Sequence, residues 1–209
     1  MGARKTAKKL EKADRKVSEA AAAASESRLV RTLGFLSEIG DQPPLRALCG
    51  VTIAAGLLRR DAKLAGAGAK MLAAHTVATW MKTGVKRTID RPRPDTPGDY
   101  RMERGDSDEH GLSSFPSGHT AGAVAVAEAF VRVYPDHAIA ARSAAAAVSL
   151  VQVPRAKHFL GDVAVGAVIG LVAERLLAKA MSRLDDPAHD PIAGAVVAAA
   201  ELREAAGRR

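Results

Sequence analysis

The sequence predicts an all-α protein, an antiparallel helical bundle, on two observations. No alternating run of β-branched and polar residues, the pattern of a half-buried strand, appears anywhere in it. Five apolar segments follow one another instead, at residues 47–58, 64–81, 120–131, 138–153 and 163–173. The 209 residues suffice for one domain with a real core, and a second domain is not expected.

Residues 1–43 form a charged, basic segment rich in alanine, lysine and glutamate, which favours helix. Its later half carries Leu29, Val30, Leu33, Leu36 and Ile39 at near-helical spacing, the pattern of an amphipathic helix with one apolar face; a solvated, frayed helix is the alternative. Residues 44–183 hold the five apolar segments. A helix that crosses a bilayer needs about 20 largely apolar residues. No segment reaches that without a charge: Lys70, Glu128 and Arg142 interrupt, and Arg46, Arg59 and Glu174 flank closely. Hydropathy alone therefore leaves a membrane bundle of about five spans level with a soluble alanine-rich bundle. Gly166 and Gly170, four apart, permit close helix contact in either solvent. The long polar loop at 86–117 is of the kind that carries function. Residues 184–209 read as a C-terminal tail with one short helix.

A net charge of +8 suits nucleic acid, an anionic membrane surface or a phosphorylated small substrate. The single cysteine, Cys49, excludes an internal disulfide. The basic start, MGARKTAKKLEKADRK, leads into no compact apolar stretch, so no secretory signal is visible, and MGARKT matches the myristoylation pattern in letter only.

Three clusters carry chemistry. VKRTIDRPRP, residues 85–94, sets cations at a helix exit enforced by prolines, with Lys86, Arg93 and Pro94 in a K-x6-R-P spacing. SSFPSGHT, residues 113–120, makes a turn that opens a helix near Ser117, Gly118 and His119, whose free N–H groups suit phosphate oxygens. VPRAKHFLGDVAVG, residues 153–166, sets His158 and Asp162 four apart, where a carboxylate meets an imidazole on one helical face. Alone, each is ordinary: a solvated charge run, a helix cap, a structural ion pair. Their order is not. The second apolar helix ends at Lys86, the third begins at Ser117, the fourth ends near His158 and the fifth begins near Asp162, so an antiparallel bundle brings all four points to one end.

K-x6-R-P, then P-S-G-H, then H-x3-D resembles the three-part signature of the type 2 phosphatidic acid phosphatase (PAP2) family, which includes membrane lipid phosphatases, bacterial acid phosphatases and vanadium haloperoxidases. The resemblance covers about residues 45–182. It implies a helical bundle of PAP2/haloperoxidase type and a phosphatase acting on a lipid phosphate or diphosphate. It also implies roles: Lys86, Arg93, Ser117 and the Gly118 backbone on the phosphate oxygens, His158 as nucleophile, Asp162 orienting its ring, and His119 protonating the leaving group. Such a set neutralises the equatorial oxygens and supplies an in-line nucleophile and an acid. No zinc-type cluster of cysteine and histidine appears, so neither metal nor other cofactor is expected.

One position departs from the pattern. Six residues before His158, where the family carries arginine, stands Gln152, which donates hydrogen bonds but brings no charge. Arg155, about one helical turn on, is the candidate to reach the same phosphate. Secreted soluble members of the family carry signal peptides, so the resemblance favours an integral protein of the inner or plasma membrane, with a lipid phosphate and not nucleic acid as partner. Arg59, Arg60, Lys63, Lys179 and Arg183 lie at the ends opposite the site and suit the cytoplasm, which turns the site to the outer side. Five spans then leave the basic N-terminus on the site-bearing side, unless it lies along the membrane. Two readings compete: a peroxidase that holds vanadate on His158, and a non-enzymatic anion-binding membrane protein.

Overall fold

The computed structural model describes residues 2–96, 100–107 and 109–184. The expected C-terminal tail and its short helix lie outside them beyond 184. Among these described residues seven α-helices follow in order: α1 (Gly2–Ala22), α2 (Arg28–Ser37), α3 (Gln42–Arg59), α4 (Ala62–Lys86), α5 (Gly118–Val133), α6 (Ala138–Leu150) and α7 (Leu160–Leu184). Among the described residues there is no strand, only two isolated bridges, Asp90 to Glu103 and Arg91 to Ser113, which clip the long loop onto itself. The chain divides into two compact units, Met1–Glu174 and Arg175–Arg209; the site described below lies wholly in the first.

The basic N-terminal segment is two helices rather than one. They part at residues 23–27, and Ser27 caps α2 by accepting from the Val30 N–H. Of the apolar residues of α2, Val30 alone joins its docked face. Val30, Gly34 and Ser37 face inward, while Leu29, Leu33, Leu36 and Ile39 stay exposed. Gly34 decides this, because a Cβ there would lie 2.9 Å from Nε of Arg155, which packs across the helix. A 3-10 turn at Glu38–Gly40 leads into α3, whose first turn takes Pro43 and Pro44 where no N–H is missed. Arg60, with φ 57°, ends α3 in the left-handed conformation, and Asp61 at once caps α4 by accepting from the Leu64 N–H at 2.9 Å. Helices α3 and α4 thus form a tight antiparallel hairpin.

Small residues draw the helices together. A Cβ at Gly68 of α4 would lie 2.7 Å from the Ile53 nitrogen of α3. Gly166 and Gly170 seat α7 on α5: a Cβ on either would come within 2.6 and 2.7 Å of the Ser117 and Ala121 carbonyls. Fully buried alanines at 67, 74, 78, 125 and 173 fill the remaining space. Two of the interrupting charges answer each other: Arg142 of α6 makes a two-pronged pair with Glu128 of α5 at 2.7 and 2.8 Å. Arg132 likewise grips Glu174.

Among the described residues no helix is long and apolar enough to cross a membrane, where about five spans are expected from the sequence. Helices α5 and α6 are short, at 16 and 13 residues, and the longer α4 carries Lys63, Lys70, Lys82 and Lys86 among small residues. Helix α6 rests on α5 between two apolar cavities. One, of about 310 Å³, lies toward α3 beside Leu45, Met71 and Val148; the other, of about 400 Å³, lies toward α7 beside Leu150, Val163 and Ala167.

Candidate active site

The end of α4, the starts of α3 and α5, and the loop between α6 and α7 enclose a cavity of about 280 Å³. Of the sequence-derived residues, Lys86, Arg93, Gly118, His119, Arg155 and His158 line it. Lys82, Lys157, His75, Glu38 and Asp41, which no motif picked out, line it as well. Five cations around one small cavity repel one another in its partly dry walls. Burial first, then Lys82 and Arg93, brings the Lys86 ammonium down to about 8, against an opposing pull from Asp162. Two of the cations are fixed by the loop: Lys86 donates to the Ser113 carbonyl, and Lys157 pairs with Asp95 at 2.7 Å.

His158 does not sit on a helix. Helix α6 ends at Leu150, eight residues before it, and residues 151–158 run as turns, with Ala156 at φ 55°. Helix α7 starts only at Leu160. The four-residue spacing of His158 and Asp162 is thus not one helical face, and their closest approach, Nδ1 to Oδ2, is 3.9 Å. The group that orients the imidazole is the Ser114 carbonyl, 2.7 Å from Nδ1. With the proton on Nδ1 donating to that carbonyl, Nε2 keeps its lone pair. Burial, then the positive charge of Arg93, holds this imidazole well below its ordinary pKa, although the Ser114 carbonyl favours the protonated ring.

Asp162 acts one step further back. Its carboxylate accepts from the Ser114 hydroxyl at 2.6 Å and from the Phe159 N–H at 2.9 Å, bracing both neighbours of the ring. It is wholly buried and faces the Arg91 guanidinium at 2.5 Å; Arg91 is 1% exposed and packs on the Phe159 ring 3.9 Å away. In the sequence Arg91 is one more cation of VKRTIDRPRP. Its burial partner lies 71 residues on, which no local spacing reveals.

Two further expectations change. Ser117 opens α5 as anticipated, but its hydroxyl is buried as the helix cap, accepting from the Thr120 N–H and hydroxyl, and it does not line the cavity. Gln152 is fully buried behind the wall, donating to the Val148 carbonyl at 2.9 Å and to the Ser37 hydroxyl at 3.2 Å. Arg155 reaches the cavity instead. It donates to the Ser37 hydroxyl at 2.9 Å and pairs with Glu38. His119 stands with its ring 6.5 Å from that of His158, and its Nε2 lies 3.2 Å from Asp41 and 3.7 Å from Glu38. Glu38, Asp41 and His119 bring one donor atom each within 4.8 Å of one another, a set that also suits a divalent cation.

Fold and cavity together define a class: an all-helical protein with a cationic, histidine-bearing pocket at one end of its bundle. The chain belongs to the PAP2 superfamily, whose family model matches residues 67–186. No curated protein sequence gives a significant match. Two solved structures share the fold. The first transmembrane PAP2-type phosphatidylglycerolphosphate phosphatase from Bacillus subtilis matches with a TM-score of 0.63 and 22% identity, covering 83% of this chain and 87% of that one. LpxE from Aquifex aeolicus matches with a TM-score of 0.58 and 20% identity, covering 78% and 93%. At these identities the likeness is one of fold.

Proposed function

We propose that this protein is a membrane phosphatase that hydrolyses a lipid phosphate or diphosphate through a phosphohistidine on His158. The observation that carries the reading is the meeting of Lys86, Arg93 and Arg155 around a buried neutral imidazole in one small cavity. Nε2 of His158 attacks phosphorus as the bond to the lipid oxygen breaks, and His119 gives that oxygen its proton. Water, relieved of a proton by the same His119, then attacks the phosphohistidine and releases inorganic phosphate. Fixed cations neutralise the equatorial oxygens throughout. Asp162 serves by holding Ser114 and Phe159 on either side of the ring.

Membrane residence is supported by the outward side chains. Leu57, Leu58, Trp80, Ile139, Leu150 and Val168 are all exposed, large apolar side chains on the outside of the helices. The Arg142–Glu128 pair lowers the cost of its two charges in hydrocarbon. Arg59, Arg60 and Lys63, at the turn opposite the site, would face the cytoplasm and leave the cavity on the outer side.

The deciding experiment measures phosphate release in detergent from phosphatidate, phosphatidylglycerol phosphate and a polyprenyl diphosphate, with and without EDTA. Release that survives EDTA is the expected result and begins to name the lipid. Release abolished by EDTA and restored by a divalent ion would move the chemistry to Glu38, Asp41 and His119. Arg155→Ala is expected to lower kcat/KM by roughly a hundredfold, as for loss of a transition-state donor, with Gln152→Ala much milder. The reverse ranking would return the phosphate contact to Gln152.

Activity should also depend on Lys86. Its ammonium is charged below about 8 and neutral above, so the free enzyme loses one phosphate-binding charge as pH rises through that value. A falling alkaline limb in kcat/KM is expected there. Lys86→Arg keeps its charge and should move the limb to higher pH; a limb that stays in place belongs to another group.

A further inference from the structure

Helix α1 lies outside the family match, yet its side chains complete the start of α7. The first N–H groups of a helix have no partner within it. In α7 the Leu160 N–H donates to the Ser18 hydroxyl at 3.0 Å and the Gly161 N–H to the Asp14 carboxylate at 2.8 Å. Ser18 is fully buried by this docking. Asp14 and Ser18 stand four apart, one turn of α1, so a single helical face supplies both caps from more than 140 residues away in sequence. Gly161 allows the approach, since a Cβ there would lie 3.0 Å from Oδ2 of Asp14.

The other oxygen of the same carboxylate accepts from Arg91 at 2.8 Å. Arg91 therefore lies between two acids, Asp14 on α1 and Asp162 on α7. From Asp162 the chain of contacts runs to the Ser114 hydroxyl, and the Ser114 carbonyl holds Nδ1 of His158. A second contact reinforces the first: Arg15 lies over the Tyr100 ring, which meets the Phe159 ring edge-on next to His158. None of Asp14, Ser18 and Arg91 lines the cavity.

We infer that α1 is a positioning element of the active site: Asp14, through Arg91, Asp162 and Ser114, sets the place and tautomer of His158, and Ser18 anchors the helix segment that follows it. The inference rests on His158 being the nucleophile. It adds a requirement that the three motifs lack, because Asp14 lies far ahead of Lys86, outside all of them.

The test uses the full chain, with Asp14→Ala, Asp14→Glu, Ser18→Ala and, on the exposed side of α1, Lys12→Ala. Phosphate release gives kcat and KM, and the nitrogen-15 histidine spectrum follows the Nδ1 proton that His158 shares with Ser114. Asp14→Ala should lower kcat roughly 10- to 100-fold with KM unchanged, as for a reacting group displaced by a fraction of an ångström. The His158 Nδ1 proton signal should weaken alongside. Asp14→Glu should recover part of both, and Lys12→Ala should leave both intact. If Asp14→Ala does not fold, Ser18→Ala, which removes one cap and keeps the ion pair, should show the same split more weakly. Wild-type kcat and an unchanged signal in Asp14→Ala would overturn the inference. So would a loss of kcat that tracks only the folded fraction. A wild type without activity would remove the hydrolytic reading, and the signal alone would then decide whether Asp14 holds His158.

Discussion

His158→Ala is expected to lower lipid phosphate hydrolysis by at least about three orders of magnitude, since loss of a covalent nucleophile closes the pathway rather than weakening one contact. The imidazole is suited to attack by its surroundings. Burial keeps it neutral, the Ser114 carbonyl accepts from Nδ1, and Lys86 and Arg93 line the same cavity. Binding should outlast the reaction. Lys86, Arg93 and Arg155 keep their places without the ring, so inorganic phosphate should still inhibit residual activity or protect the variant from thermal unfolding. Single-turnover labelling with radioactive substrate separates the outcomes: acid-labile phosphoprotein in wild type and none in the variant. A variant that turns over within tenfold of wild type would transfer the chemistry to a water molecule activated at His119.

Arg91→Ala should be the most damaging substitution away from the cavity, at about 3–5 kcal/mol of stability, because it leaves a buried carboxylate without its counter-ion. Asp162 is wholly buried, and its hydrogen bonds from Ser114 and Phe159 do not neutralise it. The expected change in a thermal melt is a drop of about 10 °C. Arg91→Lys should recover little, because a single ammonium cannot reach Asp14 and Asp162 at once while lying flat on Phe159. A stable, active Arg91→Ala protein would mean that the carboxylate is neutral in the fold. Asp162→Asn in that background would then be silent.

The helix order and the meeting of the clusters were legible in the sequence because both depend on local signals. Helix α4 ends at Lys86 where the polar, proline-bearing loop begins, Ser117 caps α5, and alternating chain direction brings those ends together. The contents of the cavity were legible where a motif residue faces inward, as with Lys86, Arg93, His119 and His158. What stayed hidden depends on contacts that spacing does not encode. Gln152 and Arg155 are three residues apart in a turn region, and burial alone decides which faces the cavity. His158 and Asp162 have helical spacing, but the helix begins between them, so the acid stands 3.9 Å off and the nearer partner of the ring is the Ser114 carbonyl. The α2 apolar pattern was visible, yet Gly34 gave the docked face to Arg155 and turned the leucines outward.

The two cavities flanking α6 have a mechanical consequence. Both, of about 310 and 400 Å³, are grooves open at the surface on either side of a helix that leads into the His158 loop. Apolar grooves of this kind take up apolar chains from whatever surrounds them, so the seating of α6 depends on the medium. Activity should therefore vary with the chain length of the surrounding detergent or lipid while the helix content stays the same.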